Sequence, residues 1–142
     1  YLIKSRESAI LIDAGISTKK IHAALEELGT ERSEISGVFV THEHSDHVKG
    51  LKVLTKQNPL WNVYASEETC LCLRETVHNS EQIRSLDTDH ITQVGDMRIR
   101  AIDISHDAAH PVCYTVTSGN SKITVLTDTG YVPERVFRSH RH

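Results

Sequence analysis

The sequence predicts a mixed α/β fold in a single domain of 142 residues. Two observations lead there. Short apolar, β-branched runs, such as residues 35–40, 97–104 and 112–117, alternate with stretches whose apolar side chains recur every three or four residues, such as Ile21, Leu25 and Leu28, or Val48, Leu51 and Leu54. Polar residues also repeatedly occupy the C-terminal ends of the apolar runs: Asp13, His42, His106 and Asp128. Strand ends gathered on one edge would build a site from distant parts of the chain, presented by a rigid scaffold.

Composition sets the outer bounds. A chain of this length can bury about two-thirds of its unfolded surface, enough for an independent core. The formal net charge is −3, so there is no global basic field to hold nucleic acid by charge alone. No basic stripe or aromatic stacking platform stands out along the sequence. No apolar run approaches the roughly 20 residues of a membrane span, and no signal peptide is visible. Cys70, Cys72 and Cys113 are odd in number, and C-x-C is not the spacing of a zinc ribbon or a redox motif. They read as thiols in a reducing cytoplasm, with Cys70 and Cys72 on different sides of a helix.

Taken in order, residues 1–4 form a strand, 5–7 a polar turn and 8–13 a second strand buried on both faces, together a hairpin. A chain that opens directly in a strand is expected to continue upstream. Ser17 or Thr18 caps a helix that carries Ile21, Leu25 and Leu28, with His22 on its polar side and Gly29 as its stop. Residues 31–34 are a polar connection to the strand 35–40. A helix is expected from about 47 to 56, ended by Asn58-Pro59. A strand at 60–65 surrounds Trp61, Val63 and Tyr64. Ser66, Glu67 and Glu68 suit a helix start, since anions favour that end, and the helix carries Cys70, Leu71, Leu73 and Val77. Residues 78–85 carry no clear signal. Ile91, Val94 and Gly95-Asp96 lead into the strand 97–104, whose end delivers Ser105, His106 and Asp107. Strands at 112–117 and 122–126 are joined by Ser118-Gly119-Asn120, a hairpin turn, and the second leads to Thr127-Asp128-Thr129-Gly130.

The chemistry concentrates between Thr41 and Gly50, T-H-E-H-S-D-H-V-K-G. His42, His44, Asp46 and His47 occupy six consecutive positions on a strand-to-helix loop. Buried without partners, each would cost several kcal/mol. A divalent cation offsets that cost, because neutral imidazole and carboxylate are its ordinary ligands. At this chain's own residue frequencies, H-x-H-x-D-H arises by chance in roughly 0.003 of such chains, so the cluster is not noise. Asp13, followed by Ala14-Gly15, is by itself an ordinary turn residue.

This loop resembles the signature of the metallo-β-lactamase superfamily. Its flanks, V-T-H-E-H-S-D-H-V-K-G-L, S-H-D-A-A-H-P-V and V-L-T-D-T-G-Y-V, are similar to the bacterial WalJ/YycJ-like branch. The resemblance implies an αββα sandwich, of which this chain covers the N-terminal half and part of the second. It implies two divalent cations: His42, His44 and His106 on one, Asp46 and His47 on the other, and Asp128 bridging both. Asp13 would lie behind them and orient a histidine. His110, just past the same strand, competes with His106. Zinc suits the donor set, with manganese or iron also compatible. Two such cations roughly 3.5–4 Å apart would share a hydroxide that attacks a phosphoryl or carbonyl centre, with Asp46 relaying a proton. The branch implies a 5′-to-3′ exonuclease, with single-stranded DNA or DNA 5′ ends as substrate.

The same residues leave other readings open. The metal pair also serves hydrolysis of a thioester, lactone or lactam. The superfamily usually places another histidine ligand well downstream of the Asp128 position, and only His140 or His142 stands there. A metal-binding fragment without catalysis is the third reading, and the sequence fixes no oligomeric state.

Overall fold

The computed structural model describes residues 1–104 and 111–125, and for Ser45 and Asp46 the backbone alone. Its elements run β1 (Leu2–Lys4), β2 (Ala9–Ile12), α1 (Thr18–Glu27), β3 (Ile35–Phe39), α2 (Ser45–Val48), α3 (Leu51–Gln57), β4 (Asn62–Ser66), α4 (Glu67–Leu73), β5 (Ile83–Leu86), β6 (Ile91–Val94), β7 (Met97–Asp103), β8 (Val112–Ser118) and β9 (Ser121–Val125). The first sheet has the order β1-β2-β3-β4-β5, the second β6-β7-β8-β9.

The sheets differ in kind. From β2 to β5 neighbouring strands are parallel, each pair joined by a helical crossover, while β1 pairs antiparallel with β2. The second sheet is an antiparallel meander. A strand buried on both faces should be continuously apolar, and β2 is: Ala9, Ile10 and Ile12 are fully buried and Leu11 nearly so. Its odd-numbered side chains pack with Val38, Ile21, Leu25, Leu51, Leu54 and Leu73 under the helices. Ile10 and Ile12 turn the other way, with Phe39, to meet Met97, Ile99 and Tyr114 of the second sheet. The described residues thus supply one helical layer and both sheets of the expected αββα sandwich.

Several elements differ from expectation. The helix expected at 47–56 is two, α2 and α3, broken at Lys49-Gly50. Val48, Leu51 and Leu54 still share one core, so their spacing could not show the break. The helix through Cys70 ends at Leu73, and Val77 is buried from the turn beyond it. Leu28 and Leu71 are exposed rather than packed. Residues 78–85 hold a 3₁₀ turn and most of β5, the edge strand. Gln82 pins this stretch: its side-chain amide lies within 3.2 Å of the Thr55, Asn58 and Trp61 carbonyls. Residues 91–94 form a full strand. His22 is partly buried beside the Asn58 amide, 3.1 Å away. Cys70 is buried and Cys72 exposed, on opposite sides of α4. Among the described residues no helix is long and apolar enough to cross a membrane.

At the edge where β1 turns into β2, a polar knot joins the sheets. Asp96 accepts hydrogen bonds from the Ser5 hydroxyl and, at 3.2 Å, from the Ser118 hydroxyl. Gly95, at φ +57°, turns against Ser8 so closely that a Cβ would lie 1.7 Å from its hydroxyl oxygen.

Candidate metal centre

The opposite edge carries the histidine loop. Because β2 and β3 are parallel neighbours, with Ile12 beside Phe39, both chains leave the sheet on the same side. Asp13 follows β2 with its N–H bonded to the Phe39 carbonyl at 2.9 Å. Its φ is +61°, a left-handed conformation that Asp tolerates better than most residues. Strained backbone of this kind concentrates at functional positions. Here it accompanies a carboxylate that reaches across to β3. Oδ1 accepts the Thr41 N–H at 2.8 Å, and Oδ2 accepts the Thr41 hydroxyl at 2.8 Å. Oδ2 also stands 2.6 Å from His47 Nδ1. The Asp13 and His47 side chains are 9% and 11% exposed. Burial pushes the Asp13 pKa up, and the hydrogen bonds from His47 and Thr41 pull it back only in part.

These bonds set the histidine tautomers. A threonine hydroxyl has one proton, and Thr41 gives it to Asp13. The His42 Nδ1, 2.8 Å from the same oxygen, must then be the donor. His47 Nδ1 likewise donates to the carboxylate. In both rings the proton sits on Nδ1 and the lone pair on Nε2. One carboxylate therefore orients two imidazoles, one directly and one through Thr41.

The loop is docked by backbone. Ala14 N–H donates to the His47 carbonyl at 2.7 Å, and Gly50 N–H to the Ala14 carbonyl at 3.0 Å. Gly50 is required by the fit, since a Cβ there would lie 2.1 Å from the Ile16 carbonyl oxygen. From the second sheet, Tyr114 donates its hydroxyl to the Val40 carbonyl at 2.6 Å, and Val112 N–H bonds the Thr41 carbonyl at 3.0 Å. Burial holds the Tyr114 hydroxyl far above its ordinary pKa, so it remains a donor.

Of the expected site residues, the structure brings together Asp13, His42, His44 and His47. The His42 ring centroid is 4.8 Å from that of His44 and 4.0 Å from that of His47. Asp46 has its backbone in α2, and its side chain is not described. His106, Asp128, His110, His140 and His142 lie outside the described residues, as does the convergence of their strand ends. Among the described residues no group of three or more His, Cys, Asp or Glu side chains could hold a metal ion by itself. The donor chemistry nonetheless fits a divalent cation: clustered imidazoles, two with Nε2 lone pairs fixed by hydrogen bonds at Nδ1. Sequence reasoning missed Thr41 and Tyr114. Thr41 stands immediately before the motif. Tyr114 carries no signal beyond its place in an apolar strand.

Comparison with known proteins agrees with this geometry. The chain is 37% identical over 132 residues to the exodeoxyribonuclease YycJ of Bacillus anthracis, covering 92% of this chain and 50% of that protein. It is 32% identical over 144 residues to the exodeoxyribonuclease WalJ of Streptococcus pneumoniae, covering 96% and 52%. The chain thus spans about half the length of these relatives. Its fold superposes on the metallo-β-lactamase SMB-1 with a TM-score of 0.75 at 16% identity, over 98% of this chain and 62% of that one. With the histidine loop at the sheet edge and residues 8–142 matching the β-lactamase superfamily domain, the chain belongs to the β-lactamase superfamily.

Proposed function

We propose that this chain is part of a cytoplasmic, metal-dependent 5′-to-3′ DNA exonuclease. The observation that carries the reading is the Asp13–Thr41–His42–His47 network. It is built to present imidazole lone pairs, and the two relatives matched over more than nine-tenths of the chain bear exodeoxyribonuclease names. His42, His44 and His106 would hold one divalent cation, Asp46 and His47 a second, with Asp128 shared between them. Zinc is favoured by the donor set, and manganese and iron are compatible. Bound there, two cations supply an acidified water and polarise the phosphoryl oxygen. The protein's own part is positional. Asp13 holds His47 and, through Thr41, His42. Tyr114 and Val112 fix the β3 end from the second sheet, and Asp46 relays a proton.

The test is release of nucleotides from 5′-phosphorylated single-stranded DNA by the full-length protein, with manganese or zinc, alongside elemental analysis. Two metal ions per chain and release of nucleotides from the 5′ end are expected. A metal-loaded protein that leaves DNA intact but cleaves thioesters, lactones or lactams would replace this reading with carbonyl hydrolysis. One metal or none, with no hydrolysis of either class, would leave a metal-binding domain.

A further inference from the structure

The helical layer carries a cationic groove beside the histidine edge. α1 and α3 run side by side in the same direction. Near their starts the Thr18 hydroxyl donates to the Gly50 carbonyl at 3.3 Å, and further on His22 Nε2 lies 3.1 Å from the Asn58 amide nitrogen. Ile21 and Leu25 of α1, with Leu51 and Leu54 of α3, pack inward on the first sheet. The groove opens on the other side of these helices. That side is the outside of an αββα sandwich, whose second helical layer lies against the other sheet. Ser17, Thr18, Lys19, His22, Lys49 and Gly50 line a depression of about 690 Å³ there. It is polarised. Lys19 and Lys49, both exposed, stand at the end next to the histidine loop, and Glu26 and Gln57 at the other. Lys49 follows His47 by two residues, and the Gly50 N–H holds the carbonyl of Ala14, the residue after Asp13.

The lysines find no use within the described protein. One helical turn on from Lys19 and Lys49 stand Ala23 and Val53, both exposed, so neither lysine has a carboxylate at the favourable spacing. Among the described residues the ion pairs are Lys4–Glu34, His47–Asp13 and His90–Asp87, and neither lysine is in them. α1 is also charged against its own dipole. Lys19 and Lys20 stand at its start and Glu26 and Glu27 at its end, with no acidic residue in the first turn and no basic one in the last. A helix start favours negative charge, so this arrangement opposes folding, and an anion between Lys19 and Lys49 relieves it. Ser17 adds a donor: its hydroxyl oxygen accepts the Lys20 N–H at 3.3 Å, which leaves its proton to give. Glu26 repels an anionic chain from the far end, so the mouth takes a single phosphate rather than a run of them.

We propose that Lys19, Lys49 and Ser17 hold one backbone phosphate of a single-stranded nucleic acid at the mouth of this groove, away from the reacting end of the strand. The proposal rests on the nuclease reading and adds to it a substrate-holding position outside the metal centre.

The test uses metal-loaded, full-length protein and a fluorescein-labelled, hydrolysis-resistant phosphorothioate oligothymidine, with anisotropy read across a potassium chloride series. Nucleotide release is followed separately on the unmodified strand. Wild type is compared with Lys19→Ala/Lys49→Ala, with Lys19→Arg/Lys49→Arg, and with Lys52→Ala/Lys56→Ala, which removes the same charge from exposed positions of α3 outside the depression. Each lost phosphate contact on a single strand removes about 0.7 from the slope of log K against log salt. Lys19→Ala/Lys49→Ala should therefore lose about 1.4 from that slope and bind about tenfold more weakly at 100 mM salt. It should melt no lower than wild type. The arginine variant and the Lys52/Lys56 variant should keep the slope. A wild-type slope in folded Lys19→Ala/Lys49→Ala overturns the proposal. So does an equal loss in the Lys52/Lys56 variant, which would make the effect one of net charge. A lower melting temperature with no change of slope assigns the two lysines to an acidic segment of the protein instead. If wild type releases nucleotides while the slopes coincide, the nuclease reading stands and this position falls. If the two-lysine slope is found but nothing is released, the position stands and the nuclease reading falls.

Discussion

Two aspartates hold the two ends of this sandwich, and they respond to their surroundings in opposite ways. Asp96 gathers the Ser5 and Ser118 hydroxyls where the β-turns meet. Asp13 gathers the Thr41 hydroxyl, the Thr41 N–H and His47 where β2 and β3 end. Both are acceptors in a small polar knot between chain segments distant in sequence. Asp96 is partly exposed, and its pKa is lowered, chiefly by the hydrogen bond from Ser5. Asp13 is buried, and its pKa is raised because desolvation outweighs the bonds it accepts. Hydroxyls around a partly exposed carboxylate suffice to fasten turns. A buried carboxylate facing histidines spends stability on an arrangement that is useful only if something cationic completes it.

Removing the Asp13 side chain should have the largest effect. Asp13→Ala leaves the Thr41 N–H and hydroxyl and His47 Nδ1 without their buried acceptor, and should cost about 3 kcal/mol or more in urea denaturation. Zinc affinity, by chelator competition, should fall roughly 10- to 100-fold. If Asp96→Ala proves equally damaging on both measures, the contrast between the two ends is wrong. Gly50→Ala probes the same edge through backbone alone. Its Cβ would meet the Ile16 carbonyl at 2.1 Å, forcing the histidine loop off Ala14, at a cost of about 2 kcal/mol. An unchanged denaturation midpoint would show that the loop is not held by that contact.

Thr41 separates the relay from the carboxylate. Thr41→Val keeps the shape but removes the hydroxyl between Asp13 and His42, and should cost about 1–2 kcal/mol. Nitrogen-15 spectra should show His42 losing its Nδ1–H preference while His47 keeps its own, and Thr41→Ser should restore the first. A His42 tautomer unmoved by the valine would refute the relay.

The sequence made much of this legible, for identifiable reasons. β2 announced itself because a strand covered on both faces must be apolar throughout. The 118–121 hairpin did so because Gly119 adopts φ +57° in a two-residue loop between Ser118 and Ser121. The histidine loop was visible because so many donors in six positions have few other uses. What stayed hidden depends on neighbours remote in the chain. The break at Gly50 comes from the Ile16 backbone, while the helical spacing runs unbroken through it. β5 is a half-exposed edge strand without alternation. Thr41 acquires its role only when parallel pairing sets Asp13 beside it.

The smallest expected effect is also the most direct test of the contrast. The Asp96 pKa lies below its unfolded value of 3.8. Its charge therefore adds stability above about pH 4, and that contribution is lost as pH falls through the folded value. Asp96→Asn keeps an acceptor for the serines but removes the charge, so variant and wild type should differ in urea midpoint at pH 7 and converge towards pH 2. The sign follows from proton binding: between the two pKa values the unfolded chain holds more protons, so stability rises with pH. Since this carboxylate is partly exposed, the gap should be small and should shrink with added salt. A gap that is the same at every pH would mean that Asp96 acts only as a neutral hydrogen-bond acceptor, and that burial is not what separates the two aspartates.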